Sequence, residues 1–135
     1  MSKLVFIVDD DPGYRQYIQT YLSHFGYEVK GFADGADCLA SLEQNPEFVV
    51  LDHFLANGET GLEVLRGIKR VNPKIPVIYL SAQKDISKAV QALKLGSVEY
   101  IEKNTGALVQ LKAAIDQLAN RKKGGFLDWL PGMKG

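Results

Sequence analysis

Only one cysteine, Cys38, occurs in the 135 residues, so neither an internal disulfide nor a thiolate metal site can form. An excess of one charge is missing too, since 16 basic residues stand against 16 acidic ones. Bulk basicity, which would argue for nucleic acid, and bulk acidity, which would argue for disorder, are both excluded. The apolar run near the start, Leu4 to Val8, is too short for a signal peptide or a membrane span. The expectation is a soluble, cytoplasmic protein with no membrane contact and no direct contact with nucleic acid. The length leaves little room beyond one compact domain with a real core.

What is present is unevenly spread. Residues 1–60 hold ten acids and three bases, whereas residues 61–135 hold six acids and thirteen bases. Such a split directs attention to local sites of opposite sign.

Apolar runs and helical patterns alternate along the chain. Leu4–Val8 reads as a strand buried on both faces and is closed by aspartates. Tyr14, Tyr17, Ile18, Tyr21, Leu22 and Phe25 recur at helical spacing, with Asp11 as N-cap, Pro12 at the first turn and Gly26 as stop. The cycle repeats with strand candidates at 28–32, 48–51, 77–80 and 98–102. The helices between and after them carry Ala36, Leu39, Ala40 and Leu42; then Leu62, Leu65, Ile68 and Val71; then Ile86, Val90 and Leu93; and last Leu108, Leu111, Ile115 and Leu118. Five β-α units predict an α/β fold, a doubly wound five-stranded parallel sheet. In such sheets ligands bind beyond the carboxyl ends of the strands.

Those ends carry the chemistry. Strand one ends in Asp9-Asp10-Asp11, strand three in Asp52, strand four in Ser81 and strand five in Lys103. Converging carboxylates repel one another, and a hard cation such as Mg²⁺ relieves them, typically together with a phosphate. A hydroxyl and an ammonium suit phosphoryl oxygens, and a carboxylate can itself be the nucleophile. The set reads as phosphoryl transfer at an aspartate.

Val8-Asp9-Asp10-Asp11-Pro12, Val50-Leu51-Asp52, Leu80-Ser81-Ala82 and Glu102-Lys103 together resemble the strand-end motifs of the response-regulator receiver domain, over roughly residues 3–120. The resemblance implies a flavodoxin-like strand order 2-1-3-4-5. It implies that Asp52 accepts a phosphoryl group from a sensor histidine kinase or a histidine phosphotransfer protein. Asp10 and Asp52 would bind Mg²⁺ directly, Asp9 through water, and the Phe54 backbone carbonyl would complete the ligands. Ser81 and Lys103 would contact the phosphoryl group, and Tyr100 occupies the switch position linked to Ser81. The chain would then be a self-phosphorylating, slowly self-dephosphorylating switch and not an enzyme. Its output would run through the face of helix four, strand five and helix five, either to an unknown downstream protein or to a second copy in a homodimer. Lys84, Lys88, Lys94 and Lys112 make that face positive, with Tyr100 among them. The bland reading of Tyr100, a half-exposed edge-strand aromatic, stays open beside the switch role. His53 is expected at the rim, His24 on the solvent side of helix one, and Cys38 in the core.

The pattern departs from the family in places. Ala56 stands where proline is commonest and Gly61 comes one residue late, so the loop after Asp52 is expected to be longer and less restrained. Asn104 replaces the usual proline after Lys103, which leaves open whether that peptide is cis or trans. Phe54 and Gln83 flank the path of attacking water. Residues 1–122 are assigned to the receiver domain. Residues 123–135 form a short apolar tail containing Phe126, Leu127, Trp129 and Leu130, with no output domain. Two other readings are a degenerate receiver that binds partners without phosphorylation and a haloacid-dehalogenase-like phosphatase with Asp9 as nucleophile.

Overall fold

The computed structural model describes residues 3–82 and 85–122. Its elements are β1 (Leu4–Val8), α1 (Pro12–Ser23), β2 (Glu28–Phe32), α2 (Gly35–Ala40), β3 (Phe48–Leu51), α3 (Gly61–Val71), β4 (Val77–Ser81), α4 (Ile86–Lys94), β5 (Glu99–Glu102) and α5 (Ala107–Lys122). The strands are parallel in the order β2-β1-β3-β4-β5, as expected. Some boundaries moved: α1 ends at Ser23, before Phe25, β4 runs on to Ser81, β5 starts at Glu99 rather than Val98, and Leu42 lies in a short 3-10 turn after α2. The expected tail at 123–135 lies outside the described residues.

Alternation along the strands explains their unbroken apolar text. Phe6, Val8, Val49, Leu51, Val77 and Tyr79 face Cys38, Val64, Leu65, Ile68 and Ala92. Val5, Ile7, Val50, Ile78, Leu80 and Ile101 face the other way, against Ile18, Leu22, Leu111 and Ile115. Each central strand thus needs apolar side chains on both sides. Burial pushes the Cys38 thiol up to about 12, so it packs as a small inert hydrophobe.

The helices use their stripes unequally. In α1, capped as expected by the Asp11 carboxylate accepting from the Gly13 and Tyr14 N–H groups, only Ile18 and Leu22 are buried, while Tyr17, and Phe25 just past its end, are exposed. In α4 the expected apolar stripe faces solvent: Ile86 is 76% exposed, and Val90 and Leu93 are exposed with it. The residue of α4 that meets the core is Ala92. Among the described residues no helix is long and apolar enough to cross a membrane.

Candidate functional site

Backbone bonding sets the site one step past the strands. Asp9 N–H bonds to the Phe32 carbonyl, Asp52 N–H to that of Val8 and Lys103 N–H to that of Ser81. The ladder therefore delivers Asp9, Asp52 and Lys103 side by side at the sheet's carboxyl edge. The Lys103 ammonium lies 2.7 Å from Asp9 Oδ2 and 3.4 Å from Asp52 Oδ1. Asp9 and Asp52 are both buried, at 2% and 5% exposure, whereas Asp10 is exposed.

The two buried carboxylates are in different states. Both oxygens of Asp9 are engaged, Oδ1 by the Asp11 N–H and Oδ2 by Lys103. Asp52 Oδ1 is buried with no hydrogen-bond partner, the Lys103 contact being a long ion pair. Burial and the charge of Asp9 push the Asp52 carboxyl up to about 6, against the pull of Lys103 and the His53 N–H. Burial alone would lower the Lys103 ammonium. Its hydrogen bond to Asp9 and the charges of Asp52 and Asp9 outweigh that and hold it above the ordinary lysine range.

This is an arrangement with an unmet need for positive charge. Oxygens of Asp9, Asp10 and Asp52 lie within 4.8 Å of one another. Among the described residues one lysine, Lys103, lies against the two buried acids, and Asp52 Oδ1 is left without a hydrogen-bond partner. An all-oxygen, acidic donor set of this kind fits a hard divalent cation.

The loop after Asp52 is well restrained, contrary to expectation. Phe54 and Thr60 form an antiparallel bridge, flanked by Leu55 N–H to Glu59 O at 3.1 Å and Gly61 N–H to His53 O at 2.7 Å. The bridge therefore leaves the Phe54 carbonyl unused. Ala56 N–H reaches Ala33 O, and Glu59 Oε1 accepts the Gly35 N–H at 2.7 Å. Hydrogen bonds to the neighbouring β2-α2 segment do what a proline would have done locally. The extra residue is absorbed in a tight turn with positive φ at Asn57 and Gly58.

His53 is also not where it was expected. It is buried, and its Nδ1 is hydrogen-bonded to the Tyr79 hydroxyl. Burial and the nearby Lys88 lower its pKa, which favours a neutral ring. Tyr79 stacks on Tyr100 with ring centroids 5.4 Å apart and planes 15° from parallel. Tyr100 is half-buried, and a hydrogen bond with Ser81 works against the rise that burial gives its hydroxyl. Ser81 is fully buried. Every described peptide is trans, the bond between Lys103 and Asn104 included.

The sequence reading missed three neighbours of the site. Tyr14 was taken for a core position, yet Lys103 Nζ lies 4.2 Å from its ring centroid. Arg15 donates to the Asp9 carbonyl at 2.6 Å; as one of three bases in the acidic half, it carried a usable signal. Tyr79 hid inside an apolar strand, where its phenol was the only clue.

The proposed positive face also changes. Lys112 bonds to Asp116 and lies over the Phe25 ring, on the α1 side. Lys88 lies over Phe54 and near Asp85, and Gln83 and Lys84 fall outside the described residues. What the described part of α4 shows to solvent is the apolar stripe flanked by lysines.

Comparison with known proteins agrees with this architecture. The response regulator receiver domain family matches residues 5–116. An NtrX-like response regulator of Rickettsia felis is 38% identical over 122 residues, covering 86% of this chain and 26% of its own length. The chain thus spans about a quarter of that relative. Among solved structures, the receiver domain of NtrX from Brucella abortus superposes with a TM-score of 0.78 at 29% identity, covering 84% of this chain and 96% of that one. A BeF3-activated DrrB receiver domain gives 0.79 at 28%, covering 89% and 99%.

Proposed function

The chain belongs to the response regulator receiver domain family of two-component signalling, and from that premise we propose that Asp52 is its phosphoacceptor. A carboxylate oxygen of Asp52 attacks the phosphorus of a phosphohistidine on a histidine kinase or phosphotransfer protein. The P–N bond breaks, the imidazole leaves with the electron pair and takes a proton, and an aspartyl phosphate remains. The observation that carries this is the buried Asp52 Oδ1, which has no hydrogen-bond partner and lies 3.4 Å from Lys103 Nζ. With no hydrogen bond to give up, that oxygen keeps its lone pairs for the phosphorus, and its neighbour can neutralise charge gathering on the incoming group.

Asp10, Asp52 and the Phe54 carbonyl, which the bridge to Thr60 does not use, would hold Mg²⁺, with Asp9 acting through water. The ion supplies charge neutralisation on the phosphoryl oxygens. The chain's own residues do the rest. Lys103 moves from the carboxylates toward the new phosphoryl oxygens, Ser81 donates its hydroxyl to one of them, and Tyr100 follows Ser81. The protein acts in the cytoplasm as a switch rather than an enzyme. Its α4-β5-α5 face, with Ile86, Val90 and Leu93 exposed, meets a downstream protein or a second copy. A phosphatase using Asp9 as nucleophile is disfavoured because both Asp9 oxygens are already engaged.

The test is labelling by a small phosphoryl donor with Mg²⁺. Label should appear on wild type and vanish in Asp52→Asn or on chelation; label persisting in Asp52→Asn overturns the assignment. Phe54 is part-exposed beside His53, and its ring should keep water from the phosphoryl group. Phe54→Asn is expected to shorten the phosphoryl lifetime about three- to tenfold, a barrier change of roughly 1 kcal/mol. An unchanged lifetime would remove that role.

A further inference from the structure

A phenol buried in the middle of a sheet needs partners for both its proton and its oxygen. Tyr79 is in that position, fully buried in β4. Its hydroxyl end lies against the start of α3, at Gly61. There the hydroxyl is hydrogen-bonded to His53 Nδ1. Gly61 makes room for this seat: a Cβ there would stand 2.6 Å from the Tyr79 hydroxyl and 2.3 Å from the Asp52 carbonyl oxygen. The same Tyr79 ring stacks on Tyr100.

From this unbroken series of contacts we infer that His53 and Tyr79 are positioning residues, tying the loop after Asp52 to the placement of Tyr100. A phosphoryl group on Asp52 is then felt at Tyr100 by two routes, through Ser81 and through the Tyr79 ring. Tyr79 is held at its hydroxyl end by His53 of the loop and closed in by Gly61, so its ring is a fixed platform. Tyr100 is half-buried and must move against that platform. Freeing the hydroxyl end loosens the platform without touching Asp52, Ser81 or Lys103. This inference rests on Asp52 being the phosphoacceptor.

Beryllofluoride titration at saturating Mg²⁺, with Tyr100 followed by NMR in protein carrying isotope-labelled tyrosine rings, tests it. Tyr79→Phe keeps the ring and removes the hydroxyl; His53→Leu removes the imidazole partner; His53→Asn supplies an amide, able to accept or donate, in its place. The first two are expected to raise the beryllofluoride concentration at the midpoint of the Tyr100 response about three- to tenfold, the range one buried hydrogen bond carries. His53→Asn should stay within about twofold of wild type. Midpoints unchanged in both Tyr79→Phe and His53→Leu overturn the coupling. If wild-type Asp52 takes label but Tyr100 does not respond, the coupling alone falls. If wild type takes neither label nor beryllofluoride, the phosphoacceptor reading falls with it.

Discussion

Helices α3 and α4 follow one another in the chain and carry similar apolar stripes, yet the fold uses them oppositely. In α3, Val64, Leu65 and Ile68 are buried under the sheet, and a capping box between Thr60 and Glu63 secures its start. In α4, Ile86, Val90 and Leu93 face solvent and small Ala92 makes the buried contact. One helix is scaffold for the site: Gly61 at its start leaves room for Tyr79, and its cap closes the loop that begins at Asp52. The other is loosely attached and shows an apolar surface. A receiver needs both, a rigid seat for the reacting carboxylate and an element that can shift at small cost.

The contrast is broken most directly by truncation. Leu65→Ala is expected to cost about 3 kcal/mol in urea unfolding, within the range for emptied core sites. Leu93→Ala should cost under about 0.5 kcal/mol. Equal losses would mean that α4 is as firmly packed as α3.

The site between them has its own signature in metal-free solution. Asp52 holds its proton up to about 6, against an ordinary 3.8, so the folded chain binds more protons than the unfolded chain across that window. The stabilisation is complete below the ordinary value and is lost as pH rises through 6. The full loss is on the order of 2–3 kcal/mol. In thermal unfolding with chelator, Asp52→Asn should remove this fall and be more stable than wild type at pH 7. Mg²⁺ should stabilise wild type and leave Asp52→Asn nearly unmoved.

Thr60→Ala removes the cap of α3 and should cost about 1 kcal/mol, measured in the same unfolding assay. It should also speed amide exchange in the Phe54–Thr60 bridge. The smallest stability change belongs to the exposed stripe. The double variant Ile86→Ser, Val90→Ser should unfold within about 0.5 kcal/mol of wild type while weakening self-association or partner binding of the beryllofluoride-bound protein, as read by light scattering or calorimetry.

Much of this was legible along the chain. The order of elements follows from runs of four or five apolar residues alternating with helical spacing, because a strand covered on both faces has few other ways to be written. The strand-end acids, Ser81 and Lys103 are legible for a related reason. In a parallel sheet every strand points the same way, so residues that end strands must share one edge. Side-chain partners were less accessible. His53 reads as a rim residue because nothing near it in sequence bonds it; its partner Tyr79 is 26 positions away. The restraint on the loop at 53–61 is supplied by Ala33 and Gly35, from a segment that local turn chemistry does not reveal.

Residue type and spacing were enough to settle the class of fold, the edge where the chemistry lies and the groups it uses, since these depend on hydrophobic period and strand direction. Folding in three dimensions settled which stripe is covered, which carboxylate is left with an open oxygen and which tyrosine bonds the histidine beside the acceptor. Periodicity shows that a helix has an apolar side, but it holds no information about what lies opposite. A carboxylate's proton affinity likewise depends on the distance to Asp9 and Lys103, and on water excluded by the whole domain.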